Sequence, residues 1–303
     1  MLFRDRLKGM RNVLAMLNIK ANACAVRTGY IFFVIGVCLY AFSDAIMKYF
    51  MPIYGVNQVT FLRTICRFVP LMLFAVYKRI NPIKTNRVWE NVFRSILASL
   101  GTYASMLAYK NANMVDVIVI GYTTAIFVVP LSVLLLSEKF HTRDAVAAII
   151  GFLGILLAFR PGCGIFQFGI MFAVIGAIIA ALNQVIIKRL SSTDSELTII
   201  FYHHITLLLL SSLITGFDGF RTLLPMDTIY LIIGGIIGAI AQYCIIHAFK
   251  LSTSCSLASA AYTMLIPATF LDFFIYDKIP DIYIIGGLIL ILAGSVSVVS
   301  ARR

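Results

Sequence analysis

The sequence contains two copies of one long apolar segment, separated by a constant 140 residues. Residues 29–48 read GYIFFVIGVCLYAFSDAIMK and residues 169–188 read GIMFAVIGAIIAALNQVIIK, with eight identities and no gap. The same shift aligns other residues along the chain, among them Tyr122 with Tyr262. One constant offset is difficult to explain by shared hydrophobicity alone. The chain is therefore predicted to be a tandem duplication, and any fold must accommodate two similar halves.

The composition places both halves in a membrane. Apolar residues make up 61% of the chain and charged residues 13%, whereas soluble domains are about half apolar. Windows of about 20 apolar residues, the length of a membrane-crossing helix, recur along the sequence. We predict an all-α integral membrane protein with ten transmembrane helices. They cover residues 29–49, 56–77, 89–109, 113–136, 143–160, 165–187, 196–215, 228–249, 254–276 and 281–300.

The net charge of +12 reflects membrane topology and does not indicate a nucleic-acid partner. With the N-terminus in the cytoplasm, most Lys and Arg residues outside the spans fall in cytoplasmic segments, as the positive-inside rule describes. We therefore expect a multi-pass protein of the cell inner membrane with both termini cytoplasmic. Residues 1–28 combine apolar and basic positions at helical spacing, which predicts an amphipathic segment on the inner leaflet. An over-long start-codon assignment explains them equally well.

Each copy holds five predicted helices, which is an odd number. The second copy therefore enters the bilayer from the opposite side, and the two repeats are inverted relative to each other. Inverted repeats are typical of secondary transporters, in which two similar units alternate around a site near the midplane. We divide the chain into the segment 1–28, a first repeat 29–160, a linker 161–168 and a second repeat 169–301. The sequence has no GxxxxGK[ST] motif, so direct use of ATP is not expected.

Several motifs occur in a recognisable order. Helix 1 ends in SDAIMK, helix 2 carries TFLRTICRF, and helix 4 contains Pro130 before a terminal Ser137-Glu138. Together with the duplication, these motifs resemble the EamA-type members of the drug/metabolite transporter superfamily over nearly all of residues 29–300. The stretches VTFLR, HAFK and DKIPD further resemble the S-adenosylmethionine uptake transporters of intracellular bacteria. The second repeat departs from the family pattern, since Asp277-Lys278 stands where the first has Ser137-Glu138.

The resemblance implies a secondary transporter that moves a small organic metabolite through a central cavity between the repeats. The substrate that it favours is S-adenosylmethionine. Its uptake is driven either by coupled protons or by exchange for S-adenosylhomocysteine. An exporter of amino acids or other small metabolites is the alternative within transport. An integral-membrane enzyme or a lipid flippase is the alternative of another class. The chain shows no nucleophile–base arrangement, so no enzymatic activity is predicted.

Two arginines inside helix 2 are the first site candidates. Arg63 and Arg67 are four residues apart and share one helix face. An arginine near the bilayer centre costs about 2.5–3.5 kcal/mol, so a lipid-facing position is disfavoured. They could bind a substrate carboxylate, which fits a guanidinium well, or form a structural ion pair with Asp44, Asp116 or Glu138. Both readings stay open.

Carboxylates and tyrosines supply the other candidates. Asp272, deep in the ninth predicted span (254–276), is the preferred ligand for a substrate ammonium or a coupling proton. The alternative is that it pairs with a buried group in a structural role. The tyrosine pairs kept by the duplication fit helix packing, or a cavity lining that stacks on a planar ring. Mid-helix prolines are expected to kink their helices near the binding region. The candidate substrate-binding residues are Asp44, Arg63, Arg67, Tyr103, Asp116, Tyr122, Gln242, Tyr243, Tyr262 and Asp272.

No cofactor or metal is predicted. The six cysteines show no paired spacing, and no His, Asp or Glu pattern suggests metal ligands. The expected partners are a small-molecule solute and the lipid bilayer, and the sequence does not set the oligomeric state.

Overall fold

The computed structural model describes residues 2–112, 114–138, 142–160, 168–276 and 281–300. Within these ranges the chain is built from helices and contains no strand. The helices are α1 (Leu2–Tyr54), α2 (Val56–Tyr77), α3 (Val88–Asn111), α4 (Met114–Tyr122), α5 (Thr124–Leu136), α6 (Thr142–Phe159), α7 (Phe168–Leu190), α8 (Glu196–Asp218), α9 (Pro225–Leu251), α10 (Ser254–Ala258), a 3₁₀ segment (Ser259–Met264), α11 (Leu265–Tyr276) and α12 (Ile282–Ser300).

The all-helical membrane fold is confirmed. Among the described residues, eight helical stretches are long and apolar enough to cross a bilayer, and Ile282–Gly294 is a shorter apolar helix. The third predicted span corresponds to α3, which is long enough at 24 residues but is less apolar than its neighbours. The count of ten crossings therefore stays a prediction.

The predicted domain boundaries are not marked by breaks in the described chain. A single helix, α1, runs for 53 residues, so the predicted N-terminal segment continues into the first span without interruption. Of the predicted linker, only Phe168 at the start of α7 lies within the described residues. The division at residues 28 and 161–168 stays a prediction.

Equivalent helices of the two repeats run antiparallel where they meet. In the pair α6 and α12, a Cβ placed on Gly154 would lie 2.7 Å from the carbonyl oxygen of Gly287. At the other end of the pair, a Cβ on Gly294 would lie 3.0 Å from the carbonyl oxygen of Ala147. The second contact is the first one shifted by 140 residues. The repeats are therefore inverted, and small residues allow the two backbones to approach closely.

The repeats are also interlocked. Helix α1 packs mainly on α9 of the second repeat, and α7 packs in the same way on α3 of the first. A Cβ on Gly36 would lie 3.2 Å from the backbone nitrogen of Ile245, and one on Gly176 would lie 3.8 Å from that of Ser105. These contacts are again related by the 140-residue shift. The duplication is thus visible both in the sequences of the two halves and in the contacts between them.

Two membrane helices are irregular at equivalent places. Helices α4 and α5 are separated at Thr123, and the 3₁₀ segment Ser259–Met264 separates α10 from α11. In both, a threonine hydroxyl donates to the carbonyl three residues earlier, Thr123 to Ile120 and Thr263 to Ala260, each at 2.6 Å. Such a bond competes with regular helix geometry. Pro130, expected to mark the irregularity, lies inside the continuous helix α5.

Candidate functional site

An ion-pair cluster joins α1 and α2. The Oδ1 atom of Asp44 accepts a hydrogen bond from Nη1 of Arg63 at 3.1 Å and from Nη2 of Arg67 at 3.3 Å. Arg63 and Arg67 face α1 together because they are one helical turn apart. The side chains of Asp44 and Arg63 are 38% and 25% exposed, whereas that of Arg67 is 4% exposed. One guanidinium is thus buried and the other is partly open.

Arg67 is enclosed by neighbours from α1. Its Nη2 donates to Oγ of Ser43 at 2.7 Å, and its Nη1 donates to the hydroxyl of Tyr40 at 3.1 Å. The guanidinium carbon lies 4.6 Å from the centre of the Tyr40 ring, within cation–π distance. These contacts offset part of the cost of burying the charge.

The cluster reaches the second repeat through α9. The hydroxyl of Ser43 donates to the carbonyl oxygen of Gly234 at 2.8 Å. One turn further along, Gly238 lies against the arginine: a Cβ there would overlap Nε of Arg67 and lie 2.7 Å from Oγ of Ser43. Helices α1, α2 and α9 therefore meet at this point, so the cluster lies where the repeats are joined.

Helix α8 contributes two adjacent histidines. The ring of His204 stacks on Phe68 of α2, with ring centres 6.1 Å apart and planes 21° apart. His203 occupies the repeat position equivalent to Arg63. The cationic cluster is therefore not duplicated, and the two repeats contribute unequally to the interior.

A third arginine is buried between α3 and α8. Arg94 is 2% exposed, and its Nη2 donates to the carbonyl oxygen of Ile199 at 3.2 Å. The ion pairs found in the described part of the chain do not include Arg94. The buried positive charge of Arg94 is thus met by a backbone carbonyl oxygen of α8.

Two tyrosines meet at the helix irregularities. Tyr122, at the end of α4, and Tyr262, in the 3₁₀ segment, have ring centres 5.9 Å apart and planes 41° apart. Tyr262 is fully buried, and Tyr122 is only partly so. The duplicated aromatic pair therefore connects the two irregular helices, and Tyr122 offers the more accessible ring.

At the predicted cytoplasmic end, charged side chains bond backbone groups of other helices. The Glu138 carboxylate, just after α5, accepts from the backbone N–H of Ser254 at 3.1 Å and of Cys255 at 3.4 Å. The ammonium of Lys188 donates to the carbonyl oxygen of Phe249 at 2.7 Å. An acid at a helix start and a cation at a helix end both suit the helix dipole.

The structure brings together only part of the predicted site. Asp44, Arg63 and Arg67 form one cluster, and Tyr122 contacts Tyr262. The structural reading of the arginines, an ion pair with Asp44, is therefore observed, although it leaves Arg63 partly open. Of the other acids considered for this pair, Glu138 bonds the start of α10, and Asp116 is buried in α4.

Other candidates lie elsewhere. Tyr243 stacks on His247, with ring centres 6.0 Å apart, and Gln242 is buried one turn beyond Gly238. Tyr103 has a buried hydroxyl that makes no hydrogen bond to the described residues. The backbone of Asp272 belongs to α11, and its side chain lies outside the described residues.

Sequence reasoning missed Tyr40 and Ser43 as partners of Arg67. A signal was present, because Ser43 immediately precedes Asp44 in SDAIMK and Tyr40 lies one turn before Asp44. The described residues contain no cluster of three or more His, Cys, Asp or Glu suited to a metal ion.

Comparison with known proteins gives consistent results. A family model described as the EamA-like transporter family matches residues 27–160 and 167–300. A protein of Rickettsia prowazekii (strain Madrid E) named S-adenosylmethionine uptake transporter is 22% identical, over 91% of this chain and 93% of its own length. The human protein named Solute carrier family 35 member G1 is 21% identical, over 91% of this chain and 80% of its own length.

A similar fold is found among solved structures. One crystal structure superposes with a TM-score of 0.76 at 15% sequence identity, covering 89% of this chain and 95% of its own. At this identity the likeness concerns the fold alone.

Proposed function

The chain belongs to the EamA-like transporter family, and on that premise we propose that it takes up S-adenosylmethionine by alternating access. Both repeats match the family model. A second relative with the name S-adenosylmethionine uptake transporter, from Rickettsia conorii (strain ATCC VR-613 / Malish 7), aligns over 91% of this chain at 22% identity. The observation that carries the substrate proposal is the partly open acid–arginine pair at the junction of the repeats.

The chemistry of this substrate suits the described side chains. S-adenosylmethionine has a carboxylate and an ammonium in its amino-acid headgroup, a sulfonium, and a planar adenine ring. Arg63 and Asp44 offer groups of opposite charge for the headgroup, and both are partly exposed. Tyr122 offers an aromatic ring that can stack on a base or contact a cation. Each part of the solute therefore has a candidate partner in the bundle.

The architecture supports alternating access. The inverted, interlocked repeats can exchange two related arrangements, each opening one side of the bundle. Irregular helices let neighbouring segments tilt without breaking a regular hydrogen-bond ladder. We place the protein in the inner membrane with both termini cytoplasmic, so that opening toward the termini releases the solute into the cell. The family and the relatives indicate a transporter rather than an enzyme.

Uptake into proteoliposomes tests the proposal. We expect vesicles with the purified protein to accumulate radiolabelled S-adenosylmethionine with saturable kinetics, since a carrier has a limited number of sites. Unlabelled S-adenosylhomocysteine should compete because it shares the headgroup and the nucleoside. Protein-free vesicles give the background. Competition by common amino acids but not by S-adenosylhomocysteine would instead indicate an amino-acid carrier, and uptake equal to background would remove the proposal.

A further inference from the structure

We propose that the two arginines of α2 have different roles. Arg63 binds the carboxylate of the substrate's amino-acid headgroup, and Asp44 binds its ammonium. Arg67 is a positioning residue that holds Asp44 and does not touch the substrate. This division rests on the proposed function, because it specifies how that substrate's headgroup is recognised.

The surroundings of Arg67 leave little access for a ligand. Its two terminal nitrogens donate to Tyr40, Ser43 and Asp44, and its side chain is 4% exposed. The third nitrogen, Nε, faces the backbone of α9 at Gly238, where even a methyl group would overlap it. A carboxylate that approached Arg67 would first have to displace α1 or α9. Arg67 is therefore a fixed internal counter-ion for Asp44.

Arg63 has the opposite character. Its one described hydrogen bond runs from Nη1 to Asp44, and a quarter of its side chain is exposed. A guanidinium carries several N–H donors in one plane, and two parallel donors fit a carboxylate in bidentate geometry. Arg63 can thus accept a second carboxylate while it stays close to Asp44.

The charge balance favours a zwitterion at this place. Two guanidiniums share one oxygen atom of Asp44, so positive charge is in excess within this cluster. An incoming carboxylate compensates that excess at Arg63, and the accompanying ammonium contacts Asp44, whose side chain is 38% exposed. The headgroup therefore inserts into the existing Asp44–Arg63 pair, and Arg67 keeps Asp44 from following the ligand.

Equilibrium binding with paired ligands and variants tests the assignment. The detergent-purified full chain is titrated with tritiated S-adenosylmethionine, and unlabelled S-adenosylmethionine and decarboxylated S-adenosylmethionine serve as competitors. Decarboxylated S-adenosylmethionine lacks only the carboxylate. In the wild type we expect it to bind about 10- to 100-fold more weakly, the range for losing a charge-assisted hydrogen bond. In Arg63→Gln that difference should disappear, with the decarboxylated ligand changed by less than about threefold.

The positioning role of Arg67 makes a different prediction in the same experiment. Arg67→Gln should weaken both ligands by the same factor, because it displaces Asp44 without removing the carboxylate partner. Tyr40→Phe, which removes one hydrogen bond to Arg67 but keeps the ring, gives the same result more mildly if Arg67→Gln does not fold. Arg189→Gln is the matched control, because Arg189 is 57% exposed and pairs with Glu90. It should leave both affinities unchanged.

The outcomes separate the headgroup assignment from the proposed function. Equal weakening of both ligands by Arg63→Gln overturns the assignment while S-adenosylmethionine binding stands. A carboxylate-selective loss in Arg67→Gln overturns the division of roles. If wild-type protein binds neither ligand, the proposed function fails. The same titrations are then repeated with methionine and with the amine that remains when methionine loses its carboxylate. Failure of both to bind overturns the headgroup assignment too.

Discussion

At the scale of single residues, the central feature is a carboxylate shared by two guanidiniums of unequal exposure. Asp44 and its arginines lie on helices of the first repeat, but Ser43 ties them to the backbone of α9 in the second. Movement of one repeat against the other must therefore change or carry this cluster. Charged groups buried at a moving interface can couple ligand binding to that movement.

The glycine beside Arg67 gives a residue-scale prediction. Gly238→Ala places a methyl group where Nε of Arg67 and Oγ of Ser43 now lie, so the guanidinium must shift from Asp44. We expect S-adenosylmethionine affinity to fall about tenfold, with a stability loss of about 1–3 kcal/mol, typical of overpacking. Thermal unfolding and equilibrium binding in detergent measure both effects.

Gly121→Ala is the matched control for this change. Gly121 is also helical, but a Cβ there meets no atom within 4 Å. Its affinity should stay at the wild-type value, and its stability should not fall, because alanine is a better helix former than glycine where nothing obstructs the methyl group. An equal loss in both variants would mean that the cluster at Arg67 has no special role.

Part of this cluster could be predicted from the sequence. The spacing of Arg63 and Arg67 and the position of Asp44 follow from helical periodicity, and the structure joins all three. The enclosure of Arg67 could not be predicted, because Gly238 comes from the other repeat and its place depends on the register of α1 against α9. The sequence-based preference for Asp272 as the ammonium ligand stays a prediction, because its side chain lies outside the described residues, and the proposal made above assigns the ammonium to Asp44 instead.

At the scale of helices, an acidic side chain links α5 to the start of α10 at the predicted cytoplasmic end of the bundle. Glu138 follows α5 and accepts from the first N–H groups of α10. Nearby, the hydroxyl of Ser132 lies 2.9 Å from the sulfur of Cys255. These bonds connect the irregular helix of one repeat with that of the other. Under the proposed alternating access, opening of the bundle at this end requires these bonds to separate.

Thiol accessibility tests the contribution of Glu138. In a variant whose only cysteine is Cys255, which is buried, Glu138→Ala removes a helix cap worth about 1 kcal/mol. We expect a maleimide to label Cys255 about fivefold faster, because the open arrangement becomes more populated. Labelling is followed by mass spectrometry over time.

Glu90→Ala serves as the control in the same single-cysteine background. Glu90 pairs with Arg87 and Arg189 and makes no described contact with α10. Its labelling rate should match the parent. If Glu138→Ala does not change the rate either, the cap does not hold this end closed.

Helix positions were well predicted, but helix irregularities were not. Apolar length predicts where spans lie, since a bilayer imposes it. The kinks expected at prolines are displaced: the 3₁₀ segment ends just before Pro267, which cannot donate to the carbonyl of Thr263. The break at Thr123 lies nearly two turns before Pro130, and there the threonine's own side-chain bond is the visible local cause. The position at which a membrane helix becomes irregular depends on its packing against other helices, which the sequence of that helix alone does not determine.

At the scale of the whole molecule, the duplication explains the architecture. The inversion could be predicted from an odd number of spans per repeat, and the antiparallel packing of α6 and α12 confirms it. The interlocking of α1 with α9 and of α7 with α3 could not be predicted, because periodicity does not tell which helix faces which. The result is two sets of contacts related by the 140-residue shift, and the repeats still differ in places, since His203 stands in the place of Arg63.

Counterflow tests most directly whether these repeats form one carrier site that faces the two sides in turn. Proteoliposomes are loaded with unlabelled S-adenosylhomocysteine, and the initial influx of radiolabelled S-adenosylmethionine is compared with that into empty vesicles. We expect a several-fold faster influx into loaded vesicles, because a carrier that binds unlabelled solute inside reorients toward the outside faster than an empty carrier. We expect Arg63→Gln to abolish this acceleration. Equal influx into loaded, empty and protein-free vesicles would contradict the account.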